Sequence, residues 1–595
     1  MTANRFLKAR LCAEIALAIA VYSSVAFILL GSALSSGGAI AIGDGESDVW
    51  KHLWGAWWMH NELFQGHFPI WTDLQNYPDG GRLYVIDPLN AVCTALIMPF
   101  FGLVTAFNIT QAAQLMLASL ATWGLARWIT KDHRAALVAG LIYGFCPFIL
   151  SSGIASGIDE TSNLAWLPLS MWGLFLCLNG EHPRWGVTLG GLGLALAAIG
   201  SWYYGMTAGI FWLFTCLWSV CTGKAPAGDS PKANWLYPIT AAILSALLAL
   251  PLAIMFAQSL RGESSLLGRV NITERQEKYH LEFMYRTFDF KNNAILSGYF
   301  LPGKSQISIA TDVDKRMKTV YIGWIALVLA AISLRRTPQQ TKFWLFSALL
   351  LGILSLGPYL AITSELALSK PWNPLYLFAY YVMPGFRMVA ICDRLSIGVQ
   401  LSVAILAAQG LRSILPAGNR GLAVAAALGL GVIAEVIIIS PVPWPLPSCD
   451  TRTPLFCQTL AAEPERQGLI CLPLNRANRT LQPGEYYYWQ TIHGKPLPAT
   501  LTTRFADSMM NNRLVGSLYL CEDDDYANPP DSSVFTAAVK ELRESGFAWV
   551  AINEGICDER STKRMRSILT PLLGKPQKLG NTYLYDLRLA RSTAP

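Results

Sequence analysis

The chain has 595 residues, of which 53% are hydrophobic and only 14% charged; 20 are Trp, and the net charge is +7. Soluble globular proteins carry about a quarter of their residues as charged side chains, so this composition excludes an ordinary soluble globule. The positive charge is spread along the chain, which excludes a nucleic-acid footprint.

Apolar residues recur in blocks of roughly 17–25, the length that crosses a hydrocarbon core of about 30 Å. The first block runs from Leu11 to Leu34 behind Arg5, Lys8 and Arg10. Ala33-Leu34-Ser35 would suit a signal peptidase, but the run is long enough to anchor the chain. Its basic flank places the N-terminus in the cytoplasm and the next loop, 34–88, outside.

That loop opens with Asp44, Glu46 and Asp48, and Trp50, Leu53, Trp54, Trp57, Trp58 and Leu63 follow at helical spacing. Trp at this density suits a helix in the membrane interface, with its indole N–H groups among the headgroups. Ser47 or Asp48 equally suits the N-cap of that helix, and Asp44 equally suits a solvated turn. His52 and His60, two turns apart on the same helix, read as its polar tips rather than as a metal-binding pair.

The apolar stretch from Leu89 to Ile129 is interrupted at Pro99–Gly102 and ends at Lys131-Asp132-His133-Arg134. One net crossing, broken or partly re-entrant, lets loops of like charge alternate between the two sides of the membrane. Spans near 135–150, 164–179, 186–200, 206–222, 236–258, 319–334, 342–360, 388–410 and 421–440 bring the expected total to about 11 net crossings. Basic loops at 131–134, 181–184, 223–232, 334–342 and 412–420 then lie inside; 151–163, 201–205, 259–318 and 361–387 lie outside.

The outer loops hold most of the chemistry. Asp159-Glu160 is a second acidic point, although Thr161 and Ser162 suit helix capping as well. Loop 259–318 interleaves Arg261, Arg269, Arg275, Lys278 and Arg286 with Tyr279, Phe283, Tyr285 and Phe288, as either a substrate clamp or a surface lid. Arg387 and Arg394, two helical turns apart, would share one helix face and suit bidentate phosphate binding. Asp393 offers Arg394 a purely structural partner instead. Glu14 and Glu435 are acids within spans.

From Pro441 the composition changes. PVPWPLP reads as a stiff linker, and residues 441–595 read as a small soluble domain, α/β or α+β. Its β-like runs are Gly468–Leu474, Phe547–Asn553 and Thr582–Leu589, and Ser533–Ser545 is helical in pattern. Of the five cysteines there, Cys449 and Cys457 close the easiest disulfide loop. The expected fold is mainly α: a polytopic helical membrane bundle, 1–440, with an extracytoplasmic C-terminal domain. No P-loop, zinc signature or nucleophile elbow is present.

The first-loop acids, the aromatic helix, Gly66-x-x-Pro69-x-Trp71 and Asp87-Pro88 together resemble the GT-C superfamily of multispanning glycosyltransferases. The segment Pro384-Gly-Phe-Arg387 to Asp393-Arg394-Leu, running into a span that ends at Gly410-Leu, and the Tyr-Ile-Gly323 return to the membrane are similar to a bacterial branch of it. The resemblance implies an inverting transfer of sugar from a polyprenyl-phosphate donor to an envelope glycan, lipid or protein acceptor at the outer face. It implies Asp44, Asp48 and Asp159 as catalytic acids, and Glu160, Arg387, Arg394, Trp54, Trp57 and Tyr203 as substrate-binding residues. A divalent cation is compatible with these acids but not required by them. The alternative is a non-catalytic lipid or glycan transporter, or a degenerate scaffold.

Overall fold

The computed structural model describes the chain except residues 1, 86, 227–234, 262–292, 303–318, 336–338, 364–370, 390, 475–482, 500–508, 510, 523–530 and 590–595. Most of the candidate clamp in loop 259–318 lies outside the described residues. Two compact units are present: Met1–Ser47, Ile86–Ala253 and Asn271–Cys449 form one, and Asp48–Val85, Ile254–Val270 and Asp450–Pro595 the other. The helices that matter most to the site are α1 (Thr2–Leu34), α2 (Val49–Phe64), α3 (Pro88–Phe101) and α4 (Leu103–Thr130).

The first unit is a helical membrane bundle. Among the described residues seven helices are long and apolar enough to cross a membrane, and His133–Gly144 with Ile149–Ala155, bent by 50°, forms an eighth candidate. Three more apolar helices, α3, Trp324–Leu334 and Thr341–Ser355, are shorter.

The stretch 89–129 resolves into a helical hairpin. Gly102, at φ +76°, ends α3 and starts α4, a backbone conformation that a side chain would strain. Thr94 Oγ1 bonds Thr110 Oγ1 at 3.0 Å, and Gln114 Nε2 donates to Asn90 Oδ1 at 2.6 Å, so the two helices run antiparallel. With 14 residues, α3 is about 21 Å long and too short to cross by itself. Helices α1 and α4 also run antiparallel: Asn108 reaches the carbonyl of Ala33 at one end, and Arg127 bonds buried Glu14 at the other. The basic tetrad after α4 therefore lies on the same side as the start of α1, as one net crossing requires.

Two further ties join loops of the first unit. Arg134 Nη1 donates to Pro416 O at 3.0 Å, joining two basic loops. Gly43 N donates to Pro447 O at 2.9 Å, joining the first loop to the linker. Glu435 is a structural acid: it accepts from Tyr321 Oη at 2.6 Å and from the backbone N–H groups of Trp324 and Ile325. It thereby satisfies the exposed N–H groups at the start of helix Trp324–Leu334, which have no partner within their own helix.

The second unit is built on a four-stranded sheet. Gly468–Leu472 pairs parallel with Phe547–Asn553, Thr582–Asp586 pairs antiparallel on the other side, and Gln577–Leu579 closes the edge. One face carries Ile470, Leu472, Val550 and Ile552 in a core shared with helix Glu559–Leu573. The other carries Leu469, Cys471, Ala551 and Leu584 in a core shared with helices Leu455–Ala461 and Glu485–His493. The alternation follows from side chains pointing to opposite faces of a strand.

This unit also contains α2, where the expected division at 440/441 placed that helix in the membrane domain. Trp54 and Trp58 are fully buried with Leu74, Leu83 and Tyr487, and Trp54 Nε1 donates to Gln490 Oε1 at 2.7 Å. Their expected place among lipid headgroups is therefore corrected: a protein core covers both rings, and the buried Gln490 amide takes the Trp54 N–H. Trp57 is half-buried beside Trp54, 6.2 Å between ring centroids. No disulfide forms among the described residues. Cys457 is buried with Cys471 in the second core, and Cys449 Sγ lies 3.6 Å from Ala41 O, so the expected Cys449–Cys457 closure does not occur.

Candidate active site

The site begins where helix His133–Gly144 ends. The chain turns through Pro147, runs as a wide π-helical segment, Ile149–Ala155, and reaches a single 3-10 turn, Asp159–Ser162. Every residue of that turn is buried. Two adjacent carboxylates inside an apolar bundle are costly unless they are paired and hydrogen-bonded.

Glu160 has such a partner. Arg394 Nη2 donates to Glu160 Oε1 at 2.9 Å, and both side chains are buried. The guanidinium also lies over the ring of Tyr203, 4.7 Å from its centroid. Arg394 comes from a 3-10 turn, Cys392–Leu395, that opens helix Ser396–Ile414. A narrow cleft beside it is lined by Ser152, Ile158, Thr161, Ile391 and Asp393.

The turn itself is held from several directions. Asn90 Nδ2 donates to Asp159 O at 2.9 Å and to Ser162 Oγ at 3.1 Å. Tyr204 Oη donates to Thr161 O at 2.8 Å. Asp87 caps α3 through Oδ1, bonding the N–H groups of Leu89 and Asn90, and its Oδ2 accepts from Asn163 Nδ2 at 2.8 Å.

Asp44 comes to the same loop through its backbone. Its N–H donates to Ala155 O at 2.9 Å, and its Oδ1 accepts from Glu46 N at 3.0 Å. The approach is close because Gly43, at φ +118°, packs on Gly157: a Cβ on Gly43 would stand 2.7 Å from Gly157 Cα. Asp44 thus meets, through its backbone, the loop that carries Asp159 and Glu160, and Glu160 holds Arg394 beside Tyr203; the Asp159 and Glu160 carboxylates are hard oxygen donors of the kind a divalent cation takes.

The remaining predicted residues have other settings. Asp48 stands at the N-cap position of α2 without a side-chain cap bond, and accepts from Lys51 Nζ at 2.8 Å. Arg387 and Arg394 do not share a helix face, because Phe386–Met388 and Cys392–Leu395 are two separate 3-10 turns. Arg387 Nε donates to Tyr380 O at 3.3 Å, and its guanidinium rests on the rings of Tyr380 and Tyr381. The structural ion pair suggested for Arg394 is made with Glu160, not with its neighbour Asp393. Sequence reasoning missed Asn90, Asn108 and Gln114; amides within apolar spans were the available signal.

No protein-family model and no curated protein matches the sequence. Solved structures do. The oligosaccharyltransferase AglB from Archaeoglobus fulgidus, in complex with an inhibitory peptide and a dolichol-phosphate, aligns over 91% of this chain and 69% of its own, at 10% identity and TM-score 0.50. The arabinofuranosyltransferase AftD from Mycobacteria aligns over 96% of this chain at 14% identity and TM-score 0.51, and this chain spans 41% of AftD. The chain has the GT-C fold: a polytopic helical membrane bundle with a C-terminal domain.

Proposed function

We propose that this chain is a membrane glycosyltransferase that moves a sugar from a polyprenyl-phosphate donor to an envelope acceptor at the extracytoplasmic face, with inversion. The observation that carries the reading is the buried Glu160–Arg394 pair on the same loop that binds the backbone of Asp44. In a bundle of GT-C fold, Asp44 offers a carboxylate for proton transfer, and Arg394, held by that loop through Glu160, offers a cation for a phosphate leaving group.

The chemistry assigns each group one task. The acceptor oxygen or nitrogen attacks the anomeric carbon from the face opposite the phosphate, the carbon–phosphate oxygen bond breaks, and the acceptor's proton passes to Asp44. Among the described residues the Arg394 side chain donates to Glu160 from Nη2 alone, so its other N–H groups can meet the departing polyprenyl phosphate. Tyr203 presents its ring face to that cation. The carboxylates of Asp159 and Glu160 are compatible with a divalent cation, which when bound would offset negative charge on the leaving phosphate.

A carrier would need ionisable groups along its spans to serve as transit sites. Glu14 and Glu435 are instead committed to structural contacts, which favours the transferase. The test is mass spectrometry of lipid co-purified with the full chain, followed by transfer from a synthetic polyprenyl-phosphate sugar. Bound polyprenyl phosphate and turnover support the reading; a chain that retains neither overturns it.

A further inference from the structure

Both acidic points of the site are held by one helical hairpin, each through a single buried asparagine. Asn108 on α4 is fully buried; its Oδ1 accepts from Ile42 N at 3.0 Å, and its Nδ2 donates to Ala33 O at 3.1 Å and Ile40 O at 2.8 Å. The segment it fastens, Ile40–Ile42, leads directly into Gly43 and Asp44. Asn90 on α3 is also fully buried, and its Nδ2 holds Asp159 O and Ser162 Oγ.

The two amides are linked through the hairpin. Gln114 on α4 supports Asn90 from behind at 2.6 Å, and Thr94–Thr110 braces α3 to α4 at 3.0 Å. A carboxamide carries both donors and an acceptor, so it can bind backbone carbonyls and an N–H group together. No apolar side chain of the same shape does this. Inside a membrane span such amides are unfavourable unless their bonds are made, and here they are made to the two loops that carry acids.

We propose that Asn108 and Asn90 are positioning residues, and that the α3–α4 hairpin is the template that sets Asp44 against Asp159–Glu160. Neither asparagine touches the acids' carboxylates; each fixes the backbone that presents them. The catalytic half of this inference rests on the transferase reading, whereas the structural half does not.

Hydrogen exchange read by mass spectrometry on the full chain in nanodiscs tests the structural half. Asn108→Ala raises exchange in residues 40–46 by about tenfold or more and leaves 156–164 unchanged, and Asn90→Ala does the reverse, because each opens one local unit. Gln114→Ala, which removes only the support behind Asn90, gives a weaker form of the Asn90→Ala pattern and decides the matter should Asn90→Ala fail to fold. Loosening of both segments by either substitution, or of neither, overturns the proposal.

With a synthetic polyprenyl-phosphate sugar as probe, each variant lowers kcat by about 10- to 100-fold with donor KM within about threefold, the signature of displaced acids. Loosened loops with unchanged kcat overturn the catalytic half. Absence of turnover in the unaltered chain fails the transferase reading, and the exchange pattern alone then still decides the positioning claim.

Discussion

Arg394 and Glu160 are 234 residues apart in the chain and meet at 2.9 Å inside the bundle, with the Arg394 guanidinium also lying over Tyr203. Removing either charge leaves the other buried and uncompensated, at a cost of about 3–5 kcal/mol. Arg394→Met and Glu160→Gln each lower the thermal midpoint of the purified chain. The double variant Glu160→Leu with Arg394→Met recovers most of that loss without recovering transfer, because shape returns but the leaving-group cation does not. Scanning fluorimetry beside a transfer assay checks this, and recovery of transfer in the double variant refutes the assignment.

Asp44→Asn separates chemistry from folding. The amide oxygen can still accept from Glu46 N, and the backbone bond to Ala155 O is untouched. Loss of a general base lowers rates by about 10²- to 10⁴-fold, so transfer falls by that factor while the thermal midpoint stays within a degree or two. Asp48→Asn, which weakens a pair with Lys51, leaves the rate within about threefold, since a half-exposed ion pair contributes little. Equal losses in both variants would move the base away from Asp44.

The apolar spans and the C-terminal sheet were legible because each depends on local pattern: block length and alternation. The role of the tryptophans was not. Periodicity along Trp50, Trp54 and Trp58 reports that one helix face is apolar but not what covers it, and Tyr487 and Gln490, more than 400 residues on, supply the cover. The shared face expected of Arg387 and Arg394 failed for a related reason: spacing of seven implies one only if the helix is continuous, and Phe386–Met388 and Cys392–Leu395 are separate 3-10 turns. Asn90 and Asn108 were visible as polar residues in an apolar stretch, but their partners are backbone atoms, which a sequence does not mark.

Gln490 is the hub beneath those tryptophans. Its Oε1 accepts from Trp54 Nε1 and Gln75 Nε2, both at 2.7 Å, while its Nε2 donates to Leu74 O at 2.7 Å and Lys495 O at 2.8 Å. Gln490→Leu strands several buried polar groups at about 1–3 kcal/mol each. Exchange protection in residues 71–76 and 485–496 collapses in this variant, while α4 retains its protection. Preserved protection around residue 490 would show that water replaces the amide.

His493 gives the second unit an acid-sensitive point. It is buried, its Nδ1 accepts from Lys495 N at 2.9 Å, and burial, reinforced by the nearby Lys495 charge, pushes its pKa down to about 3. The unfolded side chain takes up a proton near pH 6.5, whereas the folded one resists until about pH 3. Between those values the unfolded state binds more protons, so stability is full above about pH 6.5 and falls as pH drops toward 3, by up to about 1.4 kcal/mol per pH unit. His493→Gln removes the titrating group and flattens that part of the profile. Exchange of residues 485–496 followed from pH 7 to pH 4, corrected for the intrinsic pH dependence, reads it directly: protection falls in the unaltered chain and holds nearly level in the variant. A variant that loses protection as steeply as the unaltered chain would assign the acid sensitivity to other groups.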